Sequence, residues 1–122
     1  MVASMNTTTD IPHPLPAPLV ELIAERFRIL GEPMRIRLLD ALREGPSTVQ
    51  DLQRATGASQ QSVSKHLGLL LRSGLVSRSK EGNFSLYAIA DEGVFELCEQ
   101  VCGGLRRQLD ELDSLVPRGA NR

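Results

Sequence analysis

The tightest constraint on this chain lies between residues 48 and 90. Two short helix signatures stand in succession there, with only Gly57 and Ala58 between them, and a hairpin signature follows at once. Thr48 occupies an N-cap position with Asp51 three residues on, an acidic form of the capping box. Val49, Leu52 and Ala55 give the first short helix an apolar face, and Gly57 ends it. Ser59 is a second N-cap. The helix it opens runs to about Ser73, with Val63, Leu67, Leu70 and Leu71 inward and Gly74 closing it. Leu75 to Ser79 reads as a strand, Lys80-Glu81-Gly82-Asn83 as a turn and Phe84 to Ile89 as the returning strand. Two short helices joined by a glycine-containing turn, then a β-hairpin, make the pattern of a winged helix-turn-helix.

The flanking segments have helical period. Leu19, Ile23, Phe27 and Leu30 form one stripe, widened by Leu22 and Ile29. Gly31 and the Glu32-Pro33 step break it, because the residue before proline avoids the α region. A second helix is expected from Pro33 to about Arg43 and largely buried, through Met34, Leu38, Ala41 and Leu42 with Ile36 and Leu39 alongside. Gly45-Pro46 stops it. After the hairpin, Asp91 opens a last helix with Val94, Leu97, Cys98, Val101, Cys102, Leu105, Leu109 and Leu112 on one side. The expected fold is mainly α with a β-hairpin wing, in the order α-α-α-α-β-β-α, within a single domain over residues 19–114. Residues 1–18, with Pro12, Pro14, Pro16 and Pro18 alternating, read as a flexible arm. Residues 115–122 read as a tail, and Leu115-Val116-Pro117-Arg118-Gly119 resembles a thrombin-cleavage tag.

The net charge of −1 carries no bulk basicity, but charge is unevenly placed. Residues 46–90 have a balance of +3, from Arg54, Lys65, Arg72, Arg78 and Lys80 against Asp51 and Glu81. Residues 91–116 have a balance of −5. A positive middle segment hints at a polyanion-binding face. No apolar run has the length of a membrane span and no charged-then-apolar leader opens the chain, so the expectation is a cytoplasmic protein without a membrane partner. In that compartment Cys98 and Cys102 are expected as thiols. No nucleophile–base–orienter set, phosphate loop or metal triad appears, which argues against an enzyme. A winged helix that binds protein instead of DNA remains a second class.

The fourth helix carries the chemistry. Its outer, N-terminal face is Gln60, Gln61, Ser62, Ser64, Lys65 and His66, without an acidic residue. Glutamine can pair bidentately with adenine, and serine can serve either base type in the major groove. Lys65 and the helix N-terminus can engage phosphate. With Thr48 and Ser59 at the two N-caps and Arg78 and Lys80 on the hairpin, these are the candidate DNA-contacting residues.

Three stretches resemble the ArsR/SmtB family of bacterial repressors. They are Leu30-Gly31-Glu32-Pro33-Met34-Arg35-Ile36-Arg37-Leu38-Leu39, Ser59-Gln60-Gln61-Ser62-Val63-Ser64-Lys65-His66-Leu67 and Leu71-Arg72-Ser73-Gly74-Leu75-Val76, with the Arg78 to Tyr87 hairpin matching the family wing. The resemblance implies a homodimer built from the first and last helices. Leu19, Ile23, Val94, Leu97, Val101 and Leu105 are then the candidate interface residues. It also implies a double-stranded operator bound as an inverted repeat, with half-sites about 34–36 Å apart, and release by an inducer. In the family pattern the residue at His66 faces DNA.

The family's familiar metal sites are missing. Ser47, Thr48, Val49, Gln50 and Asp51 stand where a Cys-x-Cys would border the third helix. With Asp91 aligned to the first ligand of the last-helix site, Gly93, Gly104 and Arg107 fall at the others. Cys98 and Cys102 remain, at i and i+4, which places both sulfurs on one helix face. Cysteine often packs as a small hydrophobe, so a core role is open. The other reading is sensing, with arsenite or another thiophilic metal ion as the candidate ligand, or oxidation or persulfidation as the trigger. No other cofactor is expected.

Overall fold

A computed structural model describes residues 10–115. The elements are α1 (Ala17–Leu30), α2 (Pro33–Ala41), a 3-10 turn (Leu42–Glu44), α3 (Val49–Thr56), α4 (Gln60–Arg72), β1 (Val76–Glu81), β2 (Phe84–Ile89) and α5 (Gly93–Leu115). The order is the expected α-α-α-α-β-β-α. Residues 1–9 of the expected arm and 116–122 of the expected tail lie outside the described residues.

Local chemistry sets the boundaries. The first helix begins two residues before Leu19, because Pro18 sits in its first turn, where a missing N–H costs nothing. Glu32 caps α2 by accepting from the Arg35 backbone N–H at 3.1 Å, and Pro33 takes the first helical position. The α-helical part of α2 stops at Ala41, short of the expected Arg43, and tightens into the 3-10 turn before Gly45. The capping box of α3 is reciprocal: Thr48 Oγ1 accepts from the Asp51 N–H, and Asp51 Oδ2 accepts from the Thr48 N–H, both at 3.1 Å. Gly57 closes α3 with a left-handed φ of 75°, a conformation costly for a residue with a Cβ. Ser59 caps α4 by accepting from the Ser62 N–H.

The hairpin differs from expectation at its tip. The first strand reaches further, to Glu81, which pairs with Phe84, while the second spans the expected Phe84–Ile89; the turn is only Gly82-Asn83 and Lys80 lies within β1. Gly82 has a φ of 62°, as a tight two-residue turn requires. At the other end, the backbones of Ser47 and Tyr87 exchange hydrogen bonds of 2.9 and 2.8 Å. This single bridge pins the wing to the entrance of α3.

The core is aliphatic: Leu38, Leu39 and Leu42 from the second helical segment, Leu52 from α3, and Val63, Leu67 and Leu70 from α4. Leu75, Val76, Tyr87, Ile29 and Val94 complete it. The helices α2, α3 and α4 pack on one another, and the hairpin packs on α3 and α4. Ile36 corrects the expectation of a largely buried α2, since it is 45 % exposed on a nine-residue helix that has only one face toward the core.

By contrast, α1 and α5 are held at few points. Arg26 on α1 donates to the Ser73 carbonyl and pairs with Asp91 at the entrance to α5. The first turn of α5 is anchored by buried Val94 and by Phe95, whose ring lies under the Arg43 guanidinium at 4.3 Å. Beyond that turn its apolar residues Val101, Leu105, Leu109 and Leu112 are exposed.

Two outcomes follow for the caps. Thr48→Ala removes one half of the capping box and is expected to lower unfolding stability by about 1 kcal/mol, read as a lower denaturant midpoint at unchanged slope. The backbone N–H of Arg35 holds the Glu32 carboxyl below its ordinary value, and that of Thr48 does the same for Asp51. A carboxylate with its pKa lowered by folding adds stability above its unfolded value and loses it as pH falls through the folded one. Stability is therefore expected to fall below about pH 4.5, and Glu32→Gln with Asp51→Asn should flatten that acid limb in a pH series of urea melts.

Candidate nucleic-acid interface

The placement of α4 decides what the interface can be. Its buried stripe, Val63, Leu67 and Leu70, fixes its rotation. Helical geometry then drives Gln60, Gln61, Ser64 and Lys65 outward, and all four are exposed. Ser62 and His66, one turn apart, form a half-buried edge of that face. No acidic residue lies in the first turn, so the positive end of the helix dipole is unopposed by a carboxylate on the helix itself.

The two N-cap residues play a double part. The Thr48 and Ser59 hydroxyl oxygens are engaged as acceptors for helix N–H groups. Each keeps its own hydroxyl proton as a donor. Asp51, the one carboxylate near this surface on α3, is drawn to Arg54, which donates to it at 2.6 Å.

Strand register sorts the wing by face. Side chains directly opposite in an antiparallel pair share a face, and successive ones alternate. Arg78 pairs with Tyr87 and Lys80 with Ser85, so both cations lie on the face that includes buried Val76 and Tyr87, the side toward α3 and α4. Glu81 and Phe84 pair on the opposite face. The basic side of the wing is therefore the side on which the fourth helix sits, and the acidic group points away.

Two further residues stand at this surface that the sequence pattern by itself does not assign to it. Phe84 is 59 % exposed at the wing tip, and its signal was present in an aromatic directly after the Gly-Asn turn. Arg35 is half-buried and reaches from α2 to His66 Nδ1 at 3.2 Å, so His66 is in part a packed residue of the domain. The alternation of Arg35 and Arg37 with apolar neighbours gives no sign of which arginine turns inward.

The proposed dimer residues separate into two groups. Val94 is corrected: it is 3 % exposed and belongs to the core of the single chain, because the first turn of α5 docks there. Leu19, Ile23 and Leu97 are half-buried, and Val101 and Leu105 are exposed. Cys98 is half-buried and Cys102 exposed. Both line an apolar groove of about 390 Å³ with Phe27, Leu30, Ile36 and Leu39 on its far wall. Among the described residues, no group of three or more His, Cys, Asp or Glu side chains is placed to hold a metal ion. Among them also, no helix is long and apolar enough to cross a membrane.

Comparison with known proteins agrees with this geometry. A family described as a helix-turn-helix domain matches residues 30–78. An uncharacterized HTH-type transcriptional regulator of Mycobacterium tuberculosis, Rv0081, is 38 % identical over 81 residues, covering 66 % of this chain and 71 % of that protein. Its crystal structure superimposes with a TM-score of 0.70 at 35 % identity, over 79 % of this chain and 97 % of that one. A protein of Streptomyces lividans described as a probable mercury resistance operon repressor is 32 % identical over 98 residues, 79 % of this chain and 74 % of its own length. The solution structure of a homodimeric winged helix-turn-helix DNA-binding domain from Mycobacterium bovis, described as a possible ArsR-family transcriptional regulator, has a TM-score of 0.68 at 30 % identity, over 78 % of this chain and 88 % of that one. With its helix order, capped helix-turn-helix and two-stranded wing, this chain belongs to the ArsR/SmtB family of winged helix-turn-helix, DNA-binding transcriptional repressors.

Proposed function

We propose that the protein binds an inverted-repeat operator as a homodimer and is released from it by a thiol-directed inducer. The observation that carries the DNA-reading part is the acid-free, exposed face of Gln60, Gln61, Ser64 and Lys65 beside the basic side of the wing. In this reading α4 enters the major groove, where the two glutamines and Ser64 meet base edges. Thr48, Ser59, Ser62 and Lys65 contact the backbone or the edge of the groove, His66 lies within reach of a base edge there, and Arg78 and Lys80 bind phosphate independently of sequence. The support for a dimer is the apolar stripe of α5, Val101, Leu105, Leu109 and Leu112, exposed together with Val20, Leu22 and Phe27 of α1. A surface of this kind on two loosely held helices calls for a partner, and a second copy covers it symmetrically.

The trigger assigned here is Cys98 with Cys102. Their common position on the apolar groove beside the dimer stripe supports the assignment, because a ligand bound there alters the packing of α5. Arsenite or another thiophilic ion is the ligand class that suits two sulfurs, and a three-sulfur site draws on the second subunit. Oxidation or persulfidation of the exposed Cys102 is the second reading.

Selection from a random duplex pool is expected to enrich an inverted repeat whose half-site centres lie about one helical turn apart. Gln61→Ala with Lys65→Ala is expected to weaken binding to that duplex at least 10-fold, since a bidentate base contact contributes about 1–3 kcal/mol. Unchanged affinity would refute the assigned reading helix. For the trigger, reduced protein on the selected duplex is titrated with arsenite, mercury, cadmium and zinc. Wild type is expected to lose operator affinity roughly 5–150-fold with a thiophilic ion. Cys98→Ser and Cys102→Ser should hold the DNA, and identical behaviour of all three proteins would refute the thiol trigger.

A further inference from the structure

Arg35 has no part in the DNA contacts assigned above, yet it touches the reading helix. From α2 its Nε donates to the Ile29 carbonyl at 2.6 Å, and Nη2 donates to the Arg28 carbonyl at 3.5 Å. Its Nη1 lies 3.2 Å from His66 Nδ1. A guanidinium carries donors only and stays protonated. Nδ1 of His66 is therefore the acceptor, and the proton of the neutral ring sits on Nε2. Among the described residues, no other hydrogen bond engages this ring. The carboxylate of Glu32, itself tied to the Arg35 N–H, is the neighbouring anion.

The position of the ring gives this contact a consequence. His66 stands one turn after Ser62 at the half-buried edge of the face that carries Gln61, Ser64 and Lys65. With Nδ1 occupied, the one polar atom left on the ring is a donor. A donor selects acceptors on base edges, which are N7 and O6 of guanine, N7 of adenine and O4 of thymine, and it disfavours the amino group of cytosine.

We propose that Arg35 is a positioning residue for DNA reading: it fixes His66 as the Nε2–H tautomer and ties the ring to the last turn of α1. The reading helix then presents a hydrogen-bond donor of fixed sense at this edge. The same guanidinium connects a helix bearing the exposed apolar stripe to the one that faces DNA. This inference rests on the DNA-reading function proposed above.

Two measurements test it, and the first needs no DNA. Nitrogen-15 spectra of the imidazole rings in the free protein, with His13 and His66 distinguished by a His66→Gln variant, are expected to show His66 protonated on Nε2 and bare on Nδ1. In Arg35→Met the ring should gain the Nδ1–H form. A protonated Nδ1 in the wild type, or spectra that Arg35→Met leaves unaltered, would overturn the proposal. The second is a double-mutant cycle on the selected duplex and a scrambled one. Arg35→Met is expected to lower the ratio of selected to scrambled affinity roughly 5–10-fold, the size of one or two hydrogen bonds. In a His66→Ala background it should lower the ratio no further. Additive losses overturn the link between the two residues, whereas failure of the wild type to enrich any duplex counts against the proposed function. The ring spectra still decide between Arg35 and a free His66 in that event.

Discussion

The structure depends on the docking of α4 through Val63, Leu67 and Leu70, each of them fully excluded from solvent. Burying side chains of this size contributes about 1.5–3 kcal/mol apiece, enough to fix the rotation of a 13-residue helix against its neighbours. Once the inner stripe is fixed, the 3.6-residue period leaves no choice for the outer one. Gln60, Gln61, Ser64 and Lys65 face outward because Val63 and Leu67 face inward. The exposed polar surface of α4 is thus a geometric consequence of core packing.

The wing inherits its position from the same core. Tyr87 is buried in its strand, and its backbone bridges Ser47, the residue immediately before the N-cap of α3. The hairpin is therefore fixed to the start of the helix-turn-helix at one end and free at its tip. Strand alternation then places Arg78 and Lys80 on the side of α4 and Glu81 on the other. For a chain with a net charge of −1, such sorting is what allows a local positive surface to exist.

Burial is distributed unequally between the two halves of the domain. The middle helices and hairpin supply nearly all of the core, whereas α1 and α5 contribute Ile29 and Val94 and leave their long apolar stripes outside. Arginines bridge these halves, Arg43 by stacking on Phe95 of α5 and two others through hydrogen bonds. Arg26 joins α1 to the C-terminal end of α4 and to Asp91 before α5, and Arg35 joins the last turn of α1 to His66. Helices that are weakly packed but tethered through directional hydrogen bonds can shift while still moving what they are tethered to.

Much of this was written locally. The caps Thr48 and Ser59, the breaks at Gly31, Gly57 and Gly82, and the leucine periods determined the element order and the outward face of α4, because capping and helical period act over a few residues. The same signals misplaced Val94, Ile36 and the extent of β1. An apolar residue in a helical stripe does not say which neighbour covers it, and hairpin register depends on the partner strand. The contact of Arg35 with His66 and the shared groove of Cys98 and Cys102 came only from tertiary structure. Both depend on the approach of segments about 30 to 70 residues apart in the chain, whose packing no local period encodes.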